Sequence, residues 1–255
     1  MSSVGLADSS GSESAHGLRV VVTGGSRGLG RAVAAALLEQ GAHVALVAKD
    51  SQRLKSTAAE LDDGSGRVSA WPIDISQPES VAAMAQVGEH LGDVDVVIAA
   101  AAIMSAPASK LVHTTHDDWR SVMAVNLDGV VHTLTAFVPT MQQRRSGRVI
   151  VFSACLGRMS GPGNTGGLAP YRVSKAAVNA LVRNTAAEMG NGRRSVYIDA
   201  VCPGHCRTDM GGPDAPRSVE EGADTAVWLA LRGLGGVAAD APTGVLWEDH
   251  EVIPW

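Results

Sequence analysis

Cysteine is scarce in this chain: three residues, Cys155, Cys202 and Cys206. An odd count with no secretory segment excludes a disulfide-built scaffold and implies reduced thiols in a cytoplasmic protein. Basic residues are outnumbered, 21 against 26 acidic, for a net charge of −5. No Lys/Arg block breaks that balance, so no nucleic-acid partner is expected. No uninterrupted apolar run reaches the roughly 20 residues that span a bilayer, so no membrane partner is expected either. Residues 1–17 are rich in Ser and Gly and carry Asp8 and Glu13 without an apolar core. They read as a disordered tail rather than a signal peptide. Aromatic rings are few as well: two Tyr, two Phe and five Trp. A tyrosine in a chemically loaded setting therefore stands out.

Tyr171-Arg-Val-Ser-Lys175 is such a setting, and an apolar helical run from Ala176 to Val182 follows it. Positions i and i+4 share a helix face. An ammonium beside a phenol favours the phenolate and lowers the phenol pKa. A phenol tuned in this way exchanges a proton with a carbonyl or alcohol oxygen near neutral pH. On its own, the same spacing on a surface helix is only a solvated face.

The amino end supplies a second signal. Leu18 to Val22 reads as a buried strand, Thr23-Gly24-Gly25-Ser26-Arg27-Gly28-Leu29-Gly30 as a turn, and Ala32 to Leu38 as a helix. Strand, glycine-rich turn and helix is the context of a dinucleotide-binding loop: glycines admit a pyrophosphate, and the helix start offers free N–H groups. Strand-like runs recur near 18–23, 43–48, 67–73, 94–100, 147–153, 195–201 and 243–247. Helical patterns lie between them, near 28–40, 51–62, 78–91, 117–143, 170–190 and 218–232. This alternation predicts an α/β fold: one doubly wound parallel sheet of about seven strands, helices on both faces, a single domain over 18–255.

The G-x-x-x-G-x-G spacing of the turn, together with Tyr171 and Lys175, resembles the short-chain dehydrogenase/reductase family. Asp74-Ile75 after the third strand, Asn126 in Val125-Asn126-Leu127, and Pro203-Gly204 with Thr208 after the sixth strand strengthen the likeness. The ending Ile253-Pro254-Trp255 looks like the carbonyl-reductase-like members. The resemblance implies a strand order of 3-2-1-4-5-6-7 and ligands beyond the strands' carboxyl ends. It implies catalytic roles for Tyr171 (proton donor), Lys175 (tuning Tyr171 and holding the ribose), Asn126 (holding a relay water) and Ser153. It implies cofactor contacts from Thr23, Gly24, Ser26, Arg27, Gly28, Leu29, Gly30, Lys49, Asp74, Ile75, Ala100, Ala101, Ala102, Tyr171, Lys175, Pro203, Gly204 and Thr208. Cys202 and Cys206 flank Pro203-Gly204-His205; that loop fits the cofactor better than a metal, and no metal is expected.

An NAD enzyme needs an acid near the end of the second strand to bind the ribose 2′-OH. Ala48 stands there, followed by Lys49, with Arg27 in the glycine turn. Two cations suit a 2′-phosphate, so NADP(H) is expected, although Asp50 could pair with Lys49.

The chain also departs from the family. The expected Ser, three residues before Gly157, is Ala154, and Ser153 lies one earlier. Three readings compete: Ser153 is rotated into place; Ser160, Asn164 or Thr165 substitutes; or a donor is lost. Ala99-Ala100-Ala101-Ala102 stands where the family usually reads Asn-Asn-Ala-Gly. Two glycine- and proline-bearing stretches, Leu156 to Pro170 and Asp209 to Arg217, are candidate pocket loops. Trp228 and Trp247 read as core, and His113 and His116 as surface.

These readings point to a cytoplasmic NADPH-dependent oxidoreductase, reducing a ketone or aldehyde on a small organic molecule or oxidising the corresponding alcohol. The rival is a dinucleotide-binding protein without redox turnover, acting as a sensor, scaffold or non-redox catalyst. An extended-branch epimerase or dehydratase is disfavoured by length. The resemblance implies a homodimer or homotetramer, joined through the helices near 117–143 and 170–190.

Overall fold

Strands rich in valine and isoleucine, with no polar alternation, need cover on both faces. The computed structural model, which describes residues 15–105, 110–161 and 166–255, provides it. Strands β1 (Arg19–Thr23), β2 (His43–Ala48), β3 (Val68–Pro72), β4 (Val96–Ala99), β5 (Gly147–Phe152), β6 (Val196–Val201), β7 (Leu246–Glu248) and β8 (Glu251–Ile253) form one sheet. Its order is β3-β2-β1-β4-β5-β6-β7-β8. The first seven strands run parallel, and β8 returns antiparallel to β7. The expected order stands, with one strand more than expected. That strand is three residues long, too short for a periodic signal.

Alternation sorts the strand residues between two cores. Val21, Ala45, Val47, Val97, Val149, Val151 and Ile198 face one side. There they meet α3 (Ser80–Leu91), α5 (Gly129–Arg144) and α6 (Ala169–Glu188) through Met84, Leu134, Phe137, Val178 and Val182. Val20, Val22, Leu46, Ile98, Ile150 and Phe152 face the other. That side is covered by α1 (Gly28–Glu39), α2 (Ser51–Leu61) and α7 (Val219–Ala230), with Leu37, Leu54 and Leu229 as contacts. A buried pair, Arg232 Nη2 to Asp199 Oδ2 at 3.2 Å, ties the middle of β6 to the chain after α7. Trp247 is buried in the core, as expected, and the half-buried Trp228 packs edge to face on it at 5.3 Å.

The expected single helix near 117–143 is three segments. α4 (His116–Met123) passes through a π-helical stretch, Ala124–Asp128, into α5. The whole run is long and apolar enough to cross a membrane by length and composition, but Val122, Val130, Leu134, Phe137 and Met141 are buried within the protein. His113 and His116 are exposed, as expected. Residues 15–17, expected in the tail, belong to the fold: Ala15 is buried, and Gly17 N donates to Gly41 O at 3.2 Å. Residues 1–14 lie outside the described residues.

Candidate active site

The turn between β1 and α1 is built on contacts that tolerate no side chain. Gly24 has φ +71°, and a Cβ on it would lie 2.7 Å from the Ala101 backbone. A Cβ on Gly30 would strike the Gly24 carbonyl. The turn is therefore pressed against the end of β4, and Gly24 N is anchored to Val47 O at 2.8 Å. Arg27, at the helix start, is extended and gives no side-chain cap. The first N–H groups of α1 thus remain available beyond the strand ends, with the positive end of the helix dipole behind them. Among the described residues, the buried Thr23 Oγ1 has no hydrogen-bond partner. A cradle closed to side chains, an uncapped helix start and an orphaned hydroxyl fit a dinucleotide pyrophosphate.

The expected adenosine-side residues are present with different partners. Lys49 Nζ pairs with Asp74 Oδ2 at 2.8 Å, not with Asp50. Asp50 caps α2 instead, accepting from Arg53 N at 3.0 Å. Asp74 also accepts from Ser76 N and Oγ; burial raises its pKa, but Lys49 and Ser76 outweigh that and hold it below the usual range. Ile75 is buried, and its carbonyl lies 2.8 Å from His132 Nδ1. Arg27 pairs with Asp209 of the loop after β6, and Arg53 Nη1 lies 3.5 Å from the same carboxylate. Arg53 was not among the expected residues. Its signal was there, four residues after Lys49 at the start of a helix.

That loop lies over the glycine turn. Thr208 Cγ2 is 3.4 Å from where a Gly28 Cβ would be. Gly204 has φ +72°, and a Cβ there would meet Arg217. Cys206 Sγ donates to Pro203 O at 3.1 Å. Among the described residues no group of His, Cys, Asp and Glu is arranged to hold a metal.

On α6, Tyr171 and Lys175 share a buried face. Lys175 Nζ sits 5.7 Å from the Tyr171 ring centre and donates to Phe152 O at 2.7 Å. Burial lowers the Lys175 pKa to about 8. The Tyr171 phenol is not lowered, contrary to expectation. Burial raises it well above its ordinary value, and Cys155 and Cys202 raise it further. The ammonium meets a carbonyl rather than the phenol, so desolvation decides the sign.

Asn126 lies in the π-helical stretch and is fully buried. Its Oδ1 accepts from Ile103 N at 2.8 Å; its Nδ2 donates to Ile103 O at 2.9 Å and to Ser174 Oγ at 3.1 Å. Both ends of the amide are thus engaged in tying the chain beyond β4 to α6.

Ser153 is buried just past the end of β5. It faces α6, on the same side of the sheet as Val151, but its hydroxyl donates to Asn179 Oδ1. Asn179 is eight residues past Tyr171, about 12 Å along the helix. Ser153 is therefore tied to the middle of α6, where Asn179 Nδ2 also donates to Gly157 O at 3.2 Å. Ser160 Oγ donates to Trp255 O at 3.2 Å. Asn164 and Thr165 lie outside the described residues. Ala154 is extended and buried. Ala100, Ala101 and Ala102 are half-buried beside the glycine turn.

Comparison with known proteins agrees with this geometry. A family model described as short chain dehydrogenase matches residues 19–218. The 3-oxoacyl-[acyl-carrier-protein] reductase FabG of Chlamydia muridarum is 31% identical over 193 residues, covering 74% of each chain. The glycine betaine reductase ATRR of Emericella nidulans is 35% identical over 193 residues, 75% of this chain but only 15% of that protein. A Brucella melitensis 3-oxoacyl-[acyl-carrier protein] reductase, solved with bound NAD, superposes with a TM-score of 0.78 at 27% identity. That match covers 96% of this chain and 95% of the other.

Proposed function

The chain belongs to the short-chain dehydrogenase family of nicotinamide-dinucleotide oxidoreductases, and on that premise we propose that it reduces a ketone or aldehyde of a small organic molecule with NADPH. One observation carries the reading. Tyr171 and Lys175 lie on one buried face of α6, at the strand ends where Gly24, Gly30 and the uncapped start of α1 form the cradle.

A dinucleotide held by that cradle supplies the hydride. The protein's part is the proton. Tyr171, kept protonated by burial, gives its Oη proton to the substrate oxygen; in the alcohol-oxidising direction it takes one. Lys175 is held by Phe152 O and places a positive charge 5.7 Å from the phenol ring, which favours the phenolate left after transfer. Asn126 and Ser174 keep α6 in register with the end of β4. Arg27, Lys49 and Arg53 supply the cations for a 2′-phosphate.

The test follows NADPH oxidation at 340 nm with a panel of ketones and aldehydes. Tyr171→Phe is expected to lower turnover by roughly 10²–10⁴ while NADPH still binds. Ser153→Ala is expected to keep turnover within a few-fold, because its hydroxyl serves Asn179. Tight NADPH binding with no turnover on any carbonyl would favour a non-redox role. Equal affinity for NADH and NADPH would remove the NADP assignment alone.

A further inference from the structure

Two of the three cysteines meet at the rim of the active site, and the proton transfer makes no use of them. The pairing of β5 with β6 sets Phe152 beside Val201, and Ser153 N donates to Val201 O at 2.8 Å. Cys202 thus stands beside Ser153. Two residues further on, Cys155 opens a single 3-10 turn, Cys155–Gly157, that folds back with Gly157 N on Ala154 O. Both residues pack on the α6 side of the sheet. Their thiols interact directly, and both act on the Tyr171 phenol. Cys202 Sγ also donates to Glu248 Oε1 at 3.4 Å. Cys155 is half-buried and Cys202 is buried.

We propose that Cys155 and Cys202 form a thiol modification site for hydroperoxides, Cys155 as the attacking sulfur and Cys202 as the resolving one. The Cys155 thiolate attacks one peroxide oxygen and the O–O bond breaks. With H₂O₂ the other oxygen takes a proton and leaves as water, giving Cys155–SOH. The Cys202 sulfur then displaces the hydroxyl, which leaves as a second water, and the S–S bond forms. Two electrons pass from the two sulfurs to the peroxide.

Accessibility supports this division of labour, since Cys155 is half-buried and open to a peroxide while Cys202 is buried behind it, and the groups facing Cys155 act in the same direction. Cys202 lowers the Cys155 thiol against the opposing effect of burial, with Glu248 raising it and Leu156 N and Arg158 lowering it. The Cys202 thiol is raised far above its ordinary value by Cys155 and by burial. Cys206 is an internal control: its thiol points to Pro203 O, and burial raises it. A neutral disulfide also removes the thiolate charge that raises Tyr171.

The full chain, reduced and desalted, is treated with hydrogen peroxide at pH 7, quenched with iodoacetamide and mapped by mass spectrometry without reductant. A Cys155–Cys202 linked peptide, reversible with dithiothreitol and with Cys206 alkylated, is the expected result. Before oxidation, the half-buried Cys155 should alkylate several-fold faster than the buried Cys206. In Cys202→Ser, Cys155 should proceed to the sulfinic acid at the same dose. Full alkylation of Cys155 and Cys202 after peroxide, or a disulfide through Cys206, overturns the proposal. The wild-type map needs neither a folded variant nor turnover, so failure of the reductase reading leaves this result separate.

Discussion

Lys175 brings an ammonium into the interior, where it donates to the Phe152 carbonyl. Burial lowers its pKa from the ordinary 10.5 to about 8. The folded chain therefore binds fewer protons than the unfolded chain between pH 8 and 10.5, and this residue's contribution to stability rises with pH across that window. Below pH 8 the charged form is held at a cost of about 3 kcal/mol, an order-of-magnitude figure from that shift. Lys175→Met is expected to stabilise the cofactor-free protein by roughly 1–3 kcal/mol at pH 7. The advantage should shrink above pH 8 and vanish by about pH 10.5, measured by urea unfolding of both proteins across pH. An unchanged gap from pH 7 to 10.5 would refute the argument. Lys175 was legible from its spacing to Tyr171. Its effect on the phenol was not, because spacing reports a shared face and not what lies over it. Asn179 shows the same limit: it continues the Tyr171 face at i+8, yet only the pairing of β5 and α6 reveals that it takes the Ser153 hydroxyl.

Among the elements, the loop after β6 has the most consequence for cofactor choice. It lies across the glycine turn, with Thr208 over Gly28 and Asp209 on Arg27 and Arg53. An acid on the two guanidiniums competes with a 2′-phosphate for them. Asp209→Asn is expected to tighten NADPH binding by roughly two- to fivefold, the range for exposed ion pairs, and to leave NADH binding unchanged. Fluorescence titration of both cofactors checks it; weaker NADPH binding would mean that Asp209 positions the arginines rather than competes for them. The strand–turn–helix reading of residues 18–38 was legible because glycine spacing is a local demand of the backbone. The bridge to Asp209 spans 182 residues, and no local pattern carries it. The π-helical break at Asn126 was missed for a related reason: the extra residue in that turn leaves the apolar periodicity on either side intact.

On the scale of the whole molecule, both faces of the sheet are covered, but apolar side chains stay exposed on the outside of one helix layer. On the outer surface of the α5 and α6 side, Val131 and Val173 remain 38% and 43% exposed, and Leu111 and Val112 ahead of α4 are more so. Self-association through α5 and α6 is the expected use of this surface. Light scattering should give a multiple of 26.2 kDa, and Val173→Glu should move it toward the monomer. A wild-type monomer would refute the expectation.

The sequence by itself determined the class of fold, the strand order implied by its likeness to a family, the glycine cradle, and the pairing of Tyr171 with Lys175. Each of these depends on residues close in the chain, where periodicity and steric demand act within one or two turns. The tertiary structure alone decided what those residues touch. It turned Ser153 to Asn179, Asn126 to Ile103 and Lys49 to Asp74, raised the Tyr171 phenol, and brought Cys155 against Cys202. Partners are chosen by packing between elements far apart in sequence, and desolvation is a property of the assembled interior, so neither is written in local spacing.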